Sequence, residues 1–447
     1  MANKIIRFEP GGQHYAPERG QAREKNKEPV NKRKEPVEPV QEKDEPDAAE
    51  HPAEKPQKRG PRISGSLYKV ALILLIAAVL LVVMENWEEM TPGNIGNWLR
   101  TKVVGFGFGD GYPVDLIGST ADPGNFGSAD GNMYVVSDTA LTVRNGSAKE
   151  LFSARHSYND PVVSMAGDRY LLYNLGGAGY QINTAAGTEL QKNAENDITT
   201  GVISHSGKYA LALQPPDYAS EFCVYMKDGT LQYQYKFADT YISAIALSPD
   251  GTHGAVSSIV SRSGSIVSRI TVFDFSKEEP LAVHESAGNL IYGLLWSDSD
   301  RIIAIGDTQT LVSDTRFDFD TYDYGGRTLT AFTTTKNRAV VSVSNYAYGG
   351  SSTLLIFENK ADPVEAELPG RAGWLSCAGS KVAALLPNMV ISVDLSTGAL
   401  EGRCDVSPDT KGLAMADEGN VYLMGVREIR KENLKVIRDP EELFQGD

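Results

Sequence analysis

A short turn recurs eight times between residues 128 and 419, each copy standing ahead of an apolar run. It reads Ser128-x-x-Gly131, Ser164-x-x-Gly167, Ser204-x-x-Gly207 and Ser248-x-x-Gly251, then Ser297-x-x-Asp300, Thr334-x-x-Asn337, Ser376-x-x-Gly379 and Ala416-x-x-Gly419. Successive fourth positions are 36, 40, 44, 49, 37, 42 and 40 residues apart, a period near 41. That period is the length of one four-stranded blade of a β-propeller. The fourth position is Gly, Asp or Asn throughout, the residue types that most readily take φ > 0, as a tight hairpin requires.

The runs beyond the turn are strand-like: Met133-Tyr-Val-Val136, Tyr170-Leu-Leu-Tyr173, Tyr209-Ala-Leu-Ala-Leu213, Ile302-Ile-Ala-Ile305, Ala339-Val-Val-Ser-Val343, Val382-Ala-Ala-Leu-Leu386 and Val421-Tyr-Leu-Met424. They are short and apolar without alternation, as expected of strands covered on both faces by neighbouring sheets. A second hairpin signal follows in several copies, at Asn145-Gly146, Asp228-Gly229 and Thr397-Gly398. Two hairpins per period predict four strands. The expected fold is therefore all-β, an eight-bladed propeller over residues 112–440, with seven blades plus an appended sheet as the alternative count. Pro113-Val-Asp-Leu-Ile117 precedes the first copy and is apolar enough to pair with the last blade and close the ring.

Val70 to Met84 carries no charge, and 11 of its 15 residues are Leu, Ile or Val. Such residues favour membrane insertion by roughly 3 to 7 kcal/mol in sum. Leu67, Tyr68 and a snorkelling Lys69 extend one end and Trp87 anchors the other, so residues 67–87 are expected to form one transmembrane helix through the lipid bilayer. Lys55, Lys58, Arg59, Arg62 and Lys69 precede it, whereas Glu85, Glu88 and Glu89 follow it. The positive-inside rule places the N-terminus in the cytoplasm and the propeller outside the cell, with the helix kept as a signal anchor.

Residues 1–62 hold 14 Lys and Arg, 12 Asp and Glu and 9 Pro. A segment so poor in apolar residues is expected to be disordered and to act as a spacer. A short apolar patch, Lys4-Ile-Ile-Arg-Phe8, is the one feature there that offers a docking role. Residues 88–111 read as a juxtamembrane linker in which Thr91 and Pro92 start a short helix bearing Ile95, Trp98 and Leu99. Its Gly105-Phe-Gly107-Phe-Gly109-Asp-Gly111 run follows no strand of a nucleotide-binding unit and reads as a flexible lead-in. The full chain carries a net charge of −15. Subtracting +2 for the tail and +1 for Lys69 leaves −18 beyond the span, which argues against nucleic acid as a partner. Cys223, Cys377 and Cys404 form an odd, scattered set that reads as buried small hydrophobes, although a Cys377–Cys404 bridge is an open alternative.

Chemical motifs are sparse. The six histidines (14, 51, 156, 205, 253, 284) show no metal-ligand spacing, so neither a metal site nor a catalytic triad is expected. The strongest local candidate is Asp318-Phe-Asp320-Thr-Tyr-Asp323-Tyr-Gly-Gly326. Asp318, Asp320 and Asp323 could gather around calcium on a turn, but they depart from the EF-hand spacing, and a solvated strand edge is the competing reading. Tyr322, Tyr324, Tyr346 and Tyr348 lie in two glycine-flanked loops one blade apart and could form an aromatic binding patch, against the alternative of ordinary blade loops.

Ala244-Ile-Ala-Leu-Ser-Pro-Asp-Gly251 and Ser204-His-Ser-Gly-Lys-Tyr-Ala-Leu-Ala212 resemble the inner-strand and turn signature of WD40-like and quinoprotein-like propellers. The order of basic tail, single span, Thr91-Pro92 linker with Trp98, and propeller is similar to an uncharacterised bacterial family of membrane-anchored propellers, a domain of unknown function. No Gly-His or Trp-Asp pair marks the blades, and Trp296 and Trp374 are too few for the tryptophan-docked blades of quinoprotein dehydrogenases, so no cofactor is expected. The expected function is a non-enzymatic, membrane-tethered binding scaffold at the cell envelope, its partner a protein or an envelope polymer. The alternative is an extracytoplasmic lyase or hydrolase with its site in the propeller funnel.

Overall fold

The recurring turn joins the first two strands of eight antiparallel sheets arranged as the blades of a propeller. The computed structural model describes residues 108–116 and 121–444. The expected tail 1–62, span 67–87 and helix after Thr91 lie outside the described residues. Among the described residues no helix is long and apolar enough to cross a membrane.

Blades 1 to 8 begin with the inner strands Ala121–Ala129, Pro161–Ala166, Asp197–Ile203, Tyr241–Leu247, Ile291–Trp296, Thr328–Thr334, Trp374–Ala378 and Gly412–Asp417. In blades 1 to 7 the second, third and outer strands follow in sequence order, all antiparallel. The recurring turn and the third-to-outer turn therefore share one face of the ring, the turn face. The second-to-third loops and the blade-to-blade linkers share the opposite, linker face.

The turn varies between blades. In blades 3, 4 and 5 the fourth residue's N–H donates to the first residue's carbonyl, at 3.0 Å for Gly207 to Ser204, 2.9 Å for Gly251 to Ser248 and 3.1 Å for Asp300 to Ser297. The fourth residue then turns left-handed, with φ of 84°, 66° and 53°. Blade 1 instead closes a two-residue hairpin on Asp130 and Gly131, both at positive φ, with Ala129 opposite Asn132. Blades 6 and 8 shift the turn by one residue, to Thr335–Arg338 and Asp417–Asn420, and neither Asn337 nor Gly419 is left-handed.

The second strands are among the most buried elements. Tyr209, Ala210, Leu211, Ala212 and Leu213 are all inaccessible, because the sheets on either side cover both faces of their strand. Fully burying one leucine side chain contributes about 1.5 to 3 kcal/mol. Outer strands such as Leu231–Phe237 alternate between exposed and covered residues, as expected at the rim.

Ring closure follows the sequence expectation. Blade 8 takes its outer strand from the N-terminal side: Val114 pairs with Ile429 and Asp115 with Glu428, and the Leu116 N–H donates to the Arg427 carbonyl at 2.9 Å. Tyr112 adds a second clasp, its ring 5.2 Å from that of Tyr422 in blade 8 and its hydroxyl donating to the Asn145 carbonyl in blade 1 at 3.1 Å. The glycine run is not a free lead-in where it is described: the Gly109 N–H donates to Ser147 Oγ at 3.1 Å, and a Cβ on Gly109 would strike the Lys149 backbone. The C-terminal segment covers another edge. Lys435–Val436 adds a fifth strand to blade 7, and Leu443 is buried between blades 6 and 7.

All three cysteines are free. Cys377 lies in the inner strand of blade 7 and Cys404 in the outer strand, three strand spacings away, or about 14 Å. A disulfide needs Cα atoms within about 7 Å, so the Cys377–Cys404 bridge is excluded by the sheet order.

Candidate functional site

Burial pushes the Cys223 and Cys377 thiols up to about 12 and the Cys404 thiol to about 11. The thiols are therefore protonated and unreactive, with Cys223 and Cys404 buried in the core and Cys377 half-buried in the channel lining.

The acidic-aromatic segment is divided by the fold. The Asp314 carboxylate caps its hairpin, accepting the N–H groups of Arg316 at 2.8 Å and Asp318 at 3.0 Å. Asp318 itself is exposed beside Arg316, Asp320 is exposed on the outer strand Phe319–Asp323, and Asp323 accepts the Gly325 N–H at 2.6 Å at the far end of that strand. Five residues of extended chain separate Asp318 from Asp323 by about 17 Å, so the three carboxylates do not converge. Among the described residues no three His, Cys, Asp or Glu side chains are grouped to hold a metal ion.

The four tyrosines also part company. Tyr324 is 0 % exposed, its hydroxyl 2.6 Å from that of Thr310 and donating to the Gly306 carbonyl at 3.2 Å. Tyr322 bridges blades 5 and 6: its hydroxyl donates to Glu365 at 2.7 Å and accepts from Arg327 at 3.2 Å. Tyr346 and Tyr348 stand out from the second-to-third loop of blade 6, with Tyr348 94 % exposed. That loop is on the linker face, and it starts from the rung that pairs Thr328 with Ser344, next to the Gly325–Gly326 linker. The structure thus keeps half of the expected patch on the surface and uses the other half as packing.

Two further exposed tyrosines lie on the same face: Tyr218 in the second-to-third loop of blade 3, and Tyr241 at the start of blade 4. Among the described residues every exposed tyrosine is on the linker face. Ile266, beside the tip of a long hairpin in blade 4, and Val426 in blade 8 join them, whereas the turn face exposes Met226 and Leu281.

A central channel of about 750 Å³ is lined by the inner strands. Its wall combines hydroxyls, including Ser128, Thr200 and Ser243, with the rings of Tyr134, Tyr292 and Trp374. Tyr134 gets there from the second strand of blade 1, because its ring occupies the space that a side chain on Gly127 would fill. Burial pushes its phenol up to about 12. Among the described residues Asp307 is the one carboxylate in the lining, and no Lys, Arg or His joins it there.

The profile of a family of unknown function, DUF5711, matches residues 118–348. The chain belongs to that family. The matched stretch runs from blade 1 into the Tyr346–Tyr348 loop of blade 6. No curated protein matches the chain. Among solved structures, the computationally designed Ika8 protein aligns with a TM-score of 0.52 at 13% identity, over 71% of this chain and 98% of that one. BamB from Moraxella catarrhalis aligns at 0.45 and 11% identity, over 72% of this chain and 96% of that one. The Cps50 (Swd1) propeller domain from Myceliophteria thermophila aligns at 0.44 and 12% identity, over 66% and 100%. At such identities the Ika8 likeness shows the fold alone.

Sequence reasoning singled out Tyr346 and Tyr348 by their flanking glycines, but it missed Tyr218, Tyr241, Tyr292 and Asp307. The first two stand alone in their loops and have no partner in sequence. The last two are 15 residues apart and meet only because adjacent strands of blade 5 are paired.

Proposed function

We propose that this DUF5711 chain is a membrane-tethered, extracytoplasmic β-propeller that binds a partner on its linker face and performs no chemistry itself. The observation that carries this reading is the gathering of the exposed tyrosines on one face. Tyrosine supplies rigid contact area with a polar tip, at a low entropic cost when it is immobilised. A funnel enzyme would need titratable groups converging in the channel, and a single carboxylate without a basic partner gives that alternative no support. The tether rests on residues 67–87, and the outside placement of the ring on the basic residues ahead of them. The partner class is a protein or an envelope polymer.

A photocrosslinking residue at position 348, with one at 226 on the opposite face as control, tests the docking surface in intact cells. A discrete adduct from 348 and none from 226 is expected. Equal, diffuse labelling from both positions would defeat the proposal. Cysteine introduced at 348 should react with a membrane-impermeant maleimide in whole cells, and protection until lysis would overturn the extracytoplasmic placement.

A further inference from the structure

The inner strands of blades 3 to 6 share a β-bulge at the same place. One extra residue, Thr199, Ser243, Tyr292 or Thr330, stands between two registered pairs. In three blades it is a small hydroxyl that satisfies itself on the second strand: Thr199 donates to the Ala212 carbonyl at 3.3 Å, Ser243 to Ser257 at 3.3 Å and Thr330 to Ser342 at 3.2 Å. Blade 5 breaks the rule. Tyr292 cannot fold back in this way, and among the described residues nothing bonds its phenol, which lines the channel. A bulge re-aims the side chain it carries, and a position that departs from an otherwise consistent local rule is where a site is expected.

Asp307, at the linker-face end of the second strand of the same blade, also lines the channel. One of its oxygens takes the Leu290 N–H at 2.7 Å, which fixes the carboxylate in position. Burial and the Asp307 charge together raise the Tyr292 phenol above its usual value, so it stays a neutral donor. Thr328 and Trp374, each at the start of an inner strand in the next two blades, complete this end of the channel.

We propose that this mouth of the channel binds a neutral saccharide, with Tyr292 donating to and Asp307 accepting from its hydroxyls while Trp374 offers a flat apolar face. The proposal rests on the reading of the protein as a binder and adds a ligand class to it. Three observations select that class. The lone carboxylate, without a cation in the lining, disfavours anions. Thr328 adds a hydroxyl at the same mouth, a further hydrogen-bond partner for a ligand rich in hydroxyls. The volume, about 750 Å³, is in the range that encloses a small ligand.

Titration calorimetry on the full chain tests the proposal with cellotriose, chitotriose and maltotriose as neutral probes, and with tetramethylammonium and inorganic phosphate as charged ones. At least one trisaccharide is expected to bind with a dissociation constant of about 1 mM or tighter. Tyr292→Thr restores the residue type of the neighbouring bulges and should leave the melting temperature unchanged while weakening binding by about tenfold or more. Trp374→Phe, which keeps a ring, should weaken it less. Absence of binding by all three sugars, undiminished binding in Y292T, or tighter binding of tetramethylammonium or phosphate would overturn the proposal. New reducing ends appearing during the titration would uphold the site and defeat only the non-enzymatic reading. Loss of the crosslink from position 348 would leave the sugar result untouched.

Discussion

At the residue scale, glycines of similar backbone conformation should differ in what replacement costs. Gly167 (φ 57°) has open space where a Cβ would go, so Gly167→Ala meets left-handed backbone strain alone, about 1 kcal/mol. Gly398 (φ 73°) faces the Glu365 backbone oxygen of blade 6, 2.8 Å from an added Cβ, and backbone cannot step aside. Gly398→Ala should therefore cost about 2 to 3 kcal/mol in urea unfolding, more than Gly167→Ala, and equal costs would refute the packing argument. Both glycines stand out in the sequence as turn residues, but only the neighbouring blade makes one of them irreplaceable.

Histidine chemistry is set at the same scale. Burial lowers the pKa of both His156 and His284 below 6.5, and the His284 ring packs tilted against Phe319 of the next blade, 4.9 Å between centroids. The unfolded chain therefore binds these protons more readily than the folded one. Their contribution is fully present above pH 6.5 and is lost as pH falls from there through the lowered folded values. Thermal unfolding between pH 7 and pH 5 should show this slope, and His284→Phe should flatten it. A wild-type slope in the variant would assign the effect elsewhere. The depressed carboxylates, such as Asp394 and Glu418, act only at lower pH, below their ordinary values of 3.8 and 4.5.

At the scale of the element, second strands carry the stability and outer strands do not. Leu211, closed on both sides, should lose about 2 to 5 kcal/mol on replacement by Ala. Leu231, exposed at the rim of the same blade, should lose no more than about 0.5 kcal/mol, measured by the same denaturant titration. Comparable losses would mean that the strand order within the blade is wrong. The unalternating run at Tyr209-Ala-Leu-Ala-Leu213 announced a doubly covered strand before any fold was known. The bulges at Ser243 and Tyr292 did not announce themselves, because a bulge is a mismatch between two strands and has no signature in either one.

At the scale of the whole molecule, stability depends on closure. Leu116→Pro removes the N–H that bonds Arg427 in blade 8, and with it the end of the clasping strand. A cost of about 1 to 3 kcal/mol is expected, with hydrogen exchange rising in blade 8 ahead of blade 4. Uniform exchange around the ring would show that the clasp is not the weak point.

The sequence by itself favoured eight blades over seven and located the turns to within a residue, the strand that closes the ring and the buried runs. These are local: backbone handedness at a turn and hydrophobic pattern along a strand are written in neighbouring residues. Only the tertiary structure decided that Tyr324 is packing and Tyr348 is surface, that Cys377 and Cys404 are too far apart to join, and that Tyr292 and Asp307 face one channel. Those outcomes depend on how eight sheets meet, and the space between two blades is a property of neither sequence segment alone.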